Sequence, residues 1–313
     1  MIGYMIRRVG QAIVVLIGVT IITFILLHLL PGSPVRAILG TRASPSTIKQ
    51  LNAELGFNKP LYVQYGLWVW NLAHFNLGFS YKLNQPVTAL IGQRMPKTLF
   101  LVGSSLILAV IIAVPLGIWS AVHRNRADDY VLTGLSFIFY SMPTFLLGIL
   151  LIILFNQTLN WLPFEAPQNQ TYPWTDLNGM VLPVMTLTAV TVALFSRYMR
   201  SSMLEQMIQD YVRTARAKGV SNQAILMIHV LRNALIPVIT LVGLSIGGIV
   251  SGAVVTEDVF NYPGMGLLYY NAAVSDDFPT LLGFVVVVAL ATVIGNLVAD
   301  ILYAVADPRI RYV

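Results

Sequence analysis

The chain contains no cysteine, which excludes structural disulfides, thiolate metal sites and a cysteine nucleophile together. Charge is scarce as well: 10% of the 313 residues are charged against 57% hydrophobic, outside the usual composition of a soluble globular domain. The four histidines, His28, His74, His123 and His229, form no pair at metal-ligand spacing, so neither a zinc nor a nickel site is expected and no metal is assigned. A Gly-x-Ser-x-Gly elbow is missing. So is the Gly-x-x-x-x-Gly-Lys-Ser/Thr loop that cradles nucleotide phosphates, and the chain therefore cannot draw on ATP by itself. The net charge of +6 is dispersed, with no run of five like charges; this argues against nucleic-acid binding and for a topology signal.

Long apolar runs are abundant. A spanning helix needs roughly 20 apolar residues to cross a hydrocarbon layer of about 30 Å. Six stretches qualify: Val9 to Leu30, Thr98 to Ala121, Tyr130 to Phe155, Met180 to Tyr198, Leu235 to Val255 and Pro279 to Ala304. The first follows Arg7 and Arg8 but is too long for the apolar part of a signal peptide, which favours a retained anchor. The expected fold is all-α and polytopic, with six transmembrane helices in a multi-pass membrane protein. Residues 1–97 hold the first helix and a long outer segment, and residues 98–313 form a five-helix core.

With the amino terminus inside, Arg7, Arg8, Arg124, Arg126, Arg197, Arg200, Arg213, Arg216, Lys218, Arg232, Arg309 and Arg311 fall on one side. That bias makes the side, and both termini, cytoplasmic. The outer segments 156–179 and 256–278 lack Lys and Arg and carry Glu257, Asp258, Asp276 and Asp277 among their acids. These four are candidates to face a cationic solute or an external protein. In the long first outer segment, Pro45 to Leu55 predicts a short helix ended by Gly56. Leu61, Tyr65, Trp68 and Leu72 then recur at helical spacing as an aromatic amphipathic helix at the membrane surface.

The inner segment between spans four and five is equally informative. Met203, Leu204, Met207, Ile208 and Tyr211 continue the helical period past the membrane face. Gly219 can end one helix and Ser221 cap the next, giving a hairpin over about residues 201–233. Arg213, Arg216 and Lys218 line it, and Ala215 and Ala217 are small enough for close contact with another protein.

The spans themselves are nearly free of ionisable groups, with Asp300 and Arg197 expected at inner helix ends and no acid or base near a midplane. An ion-coupled transporter or stand-alone channel would keep such a group there, and an intramembrane enzyme would need paired catalytic residues at one depth. Pro143 predicts a kink in span three, and with Tyr140, Ser141 and Met142 it marks a candidate translocation pathway. In span five, Gly243, Ser245, Gly247, Gly248, Ser251 and Gly252 make a small-residue side suited to close helix contact, with Ser245 and Ser251 as further pathway candidates.

The run Asp210-Tyr211-Val212-Arg213-Thr214-Ala215-Arg216-Ala217-Lys218-Gly219-Val220-Ser221, with His229 to Pro237, resembles the cytoplasmic signature of binding-protein-dependent ABC importer permeases. The branch it is most similar to is that of dipeptide, oligopeptide and nickel permeases. Leu30 to Pro34, Glu257 to Gly266 and Asn296 to Arg311 agree with that branch. Arg213-Thr214-Ala215 stands where the broader family has Glu-Ala-Ala, and this narrows the branch. The resemblance implies a type I permease fold in the inner membrane, paired with a second permease to pass short peptides. It also implies two cytoplasmic ATPases, which bind ATP and magnesium, docked on Asp210, Arg213, Thr214, Ala215, Arg216, Ala217, Lys218, Gly219 and Ser221. An extracytoplasmic solute-binding protein would deliver the substrate. No cofactor is implied in this chain. Nickel chelates and glutathione are carried by relatives with similar permeases and remain alternative substrates.

Overall fold

A computed structural model describes residues 2–29, 35, 44–54, 56–166 and 177–306. The motifs at residues 30–34 and 307–311 lie outside the described residues. Almost every element is a helix. In chain order they are α1 (Ile2–Leu29), α2 (Pro45–Glu54) and α3 (Leu61–Ala73), then a two-residue antiparallel ladder, β1 (Phe79–Ser80) with β2 (Gln85–Pro86). After these come α4 (Val87–Val122), α5 (Ala127–Ser141) and α6 (Thr144–Leu151), which runs on as a π-helical turn over Ile152–Thr158. Next are α7 (Asn178–Met207), α8 (Asp210–Ala217) and α9 (Asn222–Ile249). The last are α10 (Val254–Val259), α11 (Met265–Val274) and α12 (Phe278–Ala306).

Among the described residues, four helices are long and apolar enough to cross a membrane: α4, α7, α9 and α12; α5 and α6 together make a bent fifth candidate. A shorter apolar stretch, Gly10–Leu26, lies within α1. Ile107 and Ile111 on α4 are each 62% exposed, an arrangement that suits lipid and would be unfavourable in water.

Three boundaries differ from the sequence expectation. The second span begins eleven residues before Thr98, at Val87, and accommodates Pro96 and Pro115 inside one helix. Span three breaks outright, since α5 and α6 meet at 105°. Proline disfavours the helical conformation of the residue before it; accordingly Met142 is extended (φ −76°, ψ 128°), and Pro143 becomes the residue ahead of α6. Span five stops at Ile249 rather than Val255, because Gly252 turns the chain at φ +77°.

α4 and α7 make the most extensive contact in the molecule. Gly117 permits it: a Cβ there would lie 2.5 Å from Met199 Cβ and 2.7 Å from the Ser196 carbonyl oxygen. α9 and α12 cross in the same manner, with Gly295 set against the Gly247 backbone. The small-residue side of span five is thus borne out at Gly243 and Gly247, both buried, whereas Gly248 is exposed. Close backbone approach of this kind replaces the hydrophobic driving force that lipid removes.

The aromatic helix α3 lies on α1. Tyr65 Oη is 2.9 Å from Thr20 Oγ1, His28 Nε2 is 3.1 Å from Gln64 Oε1, and the rings of Tyr65 and Trp68 surround that of Phe24. Tyr62 and Trp70 on its other side are exposed.

Candidate functional site

The inner hairpin forms as its residue types dictate. α7 ends at Met207, earlier than its hydrophobic period suggests, and α8 restarts at Asp210 with that acid in its first turn, the favourable end for negative charge. At its other end Gly219 adopts φ +78°. The Gly219 N–H donates to Arg216 O (3.0 Å) and the Val220 N–H to Ala215 O (3.2 Å), the paired bonds of a Schellman stop. Ser221 then caps the next helix, its Oγ accepting from the Ala224 N–H at 3.4 Å. Both sequence-derived roles hold.

Val212 and Ala215 face inward, in one apolar cluster with Met199 and Met203 of α7, Ala121 of α4, and Ile225 and Val230 of α9. Ala215 therefore packs the hairpin onto its own base, so the outer surface is made by other residues. Asp210, Arg213, Thr214, Arg216, Ala217, Lys218, Gly219 and Ser221 are exposed. Asp210 and Arg213 share a 3.4 Å ion pair in open solvent, of little stabilising value. Arg216 and Lys218 have no carboxylate partner among the described residues.

The base of the hairpin is tied by a group that sequence reasoning missed. Arg200 of α7 grips Asp129 of α5 with two hydrogen bonds, Nε to Oδ1 at 2.7 Å and Nη2 to Oδ2 at 2.8 Å. Ser120 Oγ of α4 donates to the same carboxylate, as does the Asn125 N–H at 3.0 Å. One buried acid thus joins three helices. The sequence reading put Arg200 on the inner side and did not single out Asp129, since nothing in its spacing tells a paired acid from a loop acid.

Around the pathway candidates, Tyr140, Ser141 and Pro143 are exposed and Met142 is half-buried at the break. The hydroxyls of Ser245 and Ser251 are turned to their own helix, donating to Leu241 O (2.8 Å) and Gly248 O (2.6 Å). α5 and α9 both pack on α4 and α7.

The outer acids divide in two. Asp258 and Asp276 are exposed, but Glu257 is fully buried and Asp277 is 3% exposed, which removes both from the outward-facing set. Asp277 accepts from Ser80 Oγ (2.5 Å) and Thr280 Oγ1 (2.7 Å), fastening the β-ladder to the start of α12. Glu257 is enclosed by donors: Thr98 Oγ1 at 2.9 Å, the Leu267 N–H at 2.9 Å, the Ala253 N–H at 3.4 Å, and the Gly266 N–H. Glycines make room for it. A Cβ at Gly252 would lie 2.8 Å from its Oε1 and one at Gly266 3.0 Å from its Oε2, while one at Gly264 would overlap the carboxylate. Burial pushes the Glu257 carboxyl above its ordinary range, against the pull of these donors. Tyr262 beside it is raised also, by burial and then by the Glu257 charge, and its Oη donates to Lys97 O at 2.7 Å. The Glu257–Gly266 motif is thus an acid with its own backbone cage.

Residues 113–312 match the family described as binding-protein-dependent transport system inner membrane component, and residues 1–102 match the N-terminal family of the same systems. The chain is 39% identical to the oligopeptide transport system permease protein AppB of Bacillus subtilis, with all of both chains covered. It is 38% identical, again over the whole of both, to the dipeptide transport system permease protein DppB of Alkalihalophilus pseudofirmus. With its apolar helices and hairpin, the chain belongs to the binding-protein-dependent transport system inner membrane components, as a multi-pass ABC importer permease of the plasma membrane.

Proposed function

We propose that this permease pairs with a second permease to pass short peptides inward, driven by two ATPases that dock on the hairpin and bind ATP and magnesium. A solute-binding protein delivers the peptide to the outer face. The chain crosses six times: α1, α4, the broken α5–α6 pair, α7, α9 and α12, with both termini cytoplasmic. The observation that carries this reading is full-length similarity to permeases named for oligopeptide and dipeptide transport. The hairpin supports the docking role, because its apolar side is consumed by α4, α7 and α9 while Arg213, Thr214, Arg216, Lys218 and Gly219 are left exposed. Asp258 and Asp276 are the acids left to meet the binding protein.

Extraction in mild detergent with a carboxy-terminal tag, followed by mass spectrometry, tests the assembly. A second permease and ATPases are expected, and recovery of the chain alone under several detergents would overturn the reading. Gly219→Asp tests the docking surface. A Cβ at Gly219 meets nothing within 4 Å, so the cost is the left-handed backbone alone, about 1–2 kcal/mol, and the variant should insert and fold. Peptide uptake should fall to background with loss of the co-purified ATPases. Normal uptake with normal ATPase recovery would remove the hairpin assignment.

A further inference from the structure

Arg197 was expected at an inner helix end, away from any midplane. Its side chain turns onto α5. Its Cζ lies 4.3 Å from the ring centre of Phe137 and 5.3 Å from that of Tyr140. Asp129 marks the inner end of α5; at about 1.5 Å rise per residue, Phe137 lies about 12 Å and Tyr140 about 16 Å further along. A hydrocarbon layer is about 30 Å thick, so with Asp129 at its inner boundary the guanidinium falls within it.

Among the described residues Arg197 has no carboxylate within ion-pair distance and no hydrogen bond from its guanidinium. Its neighbour one turn on, Arg200, has Asp129; Arg197 has only two ring faces, which hold a cation without neutralising it. An arginine at such depth needs water or an anion, and groups of this kind mark substrate pathways.

The helix break limits what can lie beside this part of α5. Irregular backbone at membrane depth persists only where protein covers it or it lines an aqueous cavity. Ser141 and Pro143 at the break are exposed in this chain, as are Phe137 and Tyr140, 49% and 51%. A seam of hydroxyls, Thr133, Ser136 and Ser196, lines a small cavity between Arg197 and Arg200. The apolar groove between α4, α5 and α7, of about 380 Å³, lies beside that seam, and Arg197 is not among its lining residues. The charge is therefore associated with the break rather than with the surface best suited to an acyl chain.

We propose that Arg197, braced by Phe137 and Tyr140, is a docking point for the carboxylate of a peptide in transit, one that the rings keep oriented and that no acid of the described chain competes for. Guanidinium and carboxylate match as a two-pronged pair. This rests on the peptide reading above.

The test uses the complete importer in proteoliposomes, with one peptide supplied either as the free acid or as its carboxy-terminal amide. Arg197→Gln should lower uptake of the free acid about tenfold, the scale of one charge-assisted pair, and change the amide by less than about twofold. Arg197→Lys should recover part of the loss. A diazirine on the peptide's last residue gives a second readout that does not depend on whether the binding protein passes the amide. It should label α5 near Phe137 and Tyr140 in the parent chain and not in Arg197→Gln. Equal falls for acid and amide, or unchanged labelling, would overturn the proposal and leave the peptide reading standing. No uptake of either form by the unaltered importer would instead overturn the peptide reading. A loss that tracks the anionic lipid content of the vesicles would reassign Arg197 to a lipid headgroup and so also overturn the proposal.

Discussion

The inner hairpin and the outer Glu257 cage are both polar turns between apolar helices, and their side chains are used in opposite ways. In the hairpin the apolar residues Val212 and Ala215 turn inward and the charges turn out, leaving Arg216 and Lys218 exposed. In the cage the charge turns inward, and three glycines bring backbone around it. A charge spent internally holds a shape, and a charge left outside is available to a partner. Sequence position alone does not distinguish them.

The sharpest way to break this comparison is Gly264→Val, which drives a side chain onto Glu257 and Thr98. Overpacking at a rigid buried site costs about 3 kcal/mol, so the yield of folded protein in detergent should collapse. Parent-like yield and unfolding temperature would mean that the cage is loose.

Glu257→Gln preserves shape but presents an amide N–H₂ to groups that all donate, at a cost of about 2 kcal/mol; thermal unfolding should register it at neutral pH. The same carboxyl adds a pH dependence. Because burial raises its folded pKa above the ordinary 4.5, the folded protein binds a proton before the unfolded chain does. The burial penalty is therefore fully present above the folded pKa and relieved as pH falls toward 4.5. Unfolding temperature compared between pH 7 and pH 5 should show the Glu257 contribution move in the stabilising direction, and Glu257→Gln should lack that component.

The smallest effects belong to the hairpin. Ser221→Ala removes one cap, about 1 kcal/mol. Arg216→Ala, at an exposed site, should change stability by less than about 0.5 kcal/mol while weakening ATPase co-purification. An Arg216→Ala variant that unfolds early but keeps its ATPases would invert the comparison.

How much was legible follows the same division. Local rules sufficed for Gly219 and Ser221, whose roles depend on neighbours within five residues. They sufficed too for Gly56, found at φ +75° after α2, and for the existence, though not the bounds, of the long apolar helices α4, α7, α9 and α12. They failed where the deciding partner is distant in the chain. Glu257 depends on Thr98, and Asp277 on Ser80; an acid in an outer loop reads the same whether it meets water or a ring of N–H groups. Pro143 was legible as a disruption, but the 105° angle depends on what packs beside each half. The ring contacts of Arg197 with Phe137 and Tyr140 were not legible, because helix position locates a Cα, and a long side chain can carry its charge a full turn from there.

One consequence of the α9–α12 crossing is mechanical. Gly247 and Gly295 meet backbone to backbone, so at this point of the crossing neither helix places a side chain of its own glycine in the way if one turns against the other. The hydrogen bond across the contact, Thr292 Oγ1 to Gly247 O at 3.1 Å, sits beside a 2.8 Å approach of the same hydroxyl to Val288 O on its own helix. If the crossing bond opens, the hydroxyl keeps a partner. The contact is shaped as a bearing rather than a gear, and because α9 begins at the hairpin cap Ser221, a twist applied there reaches it along one helix.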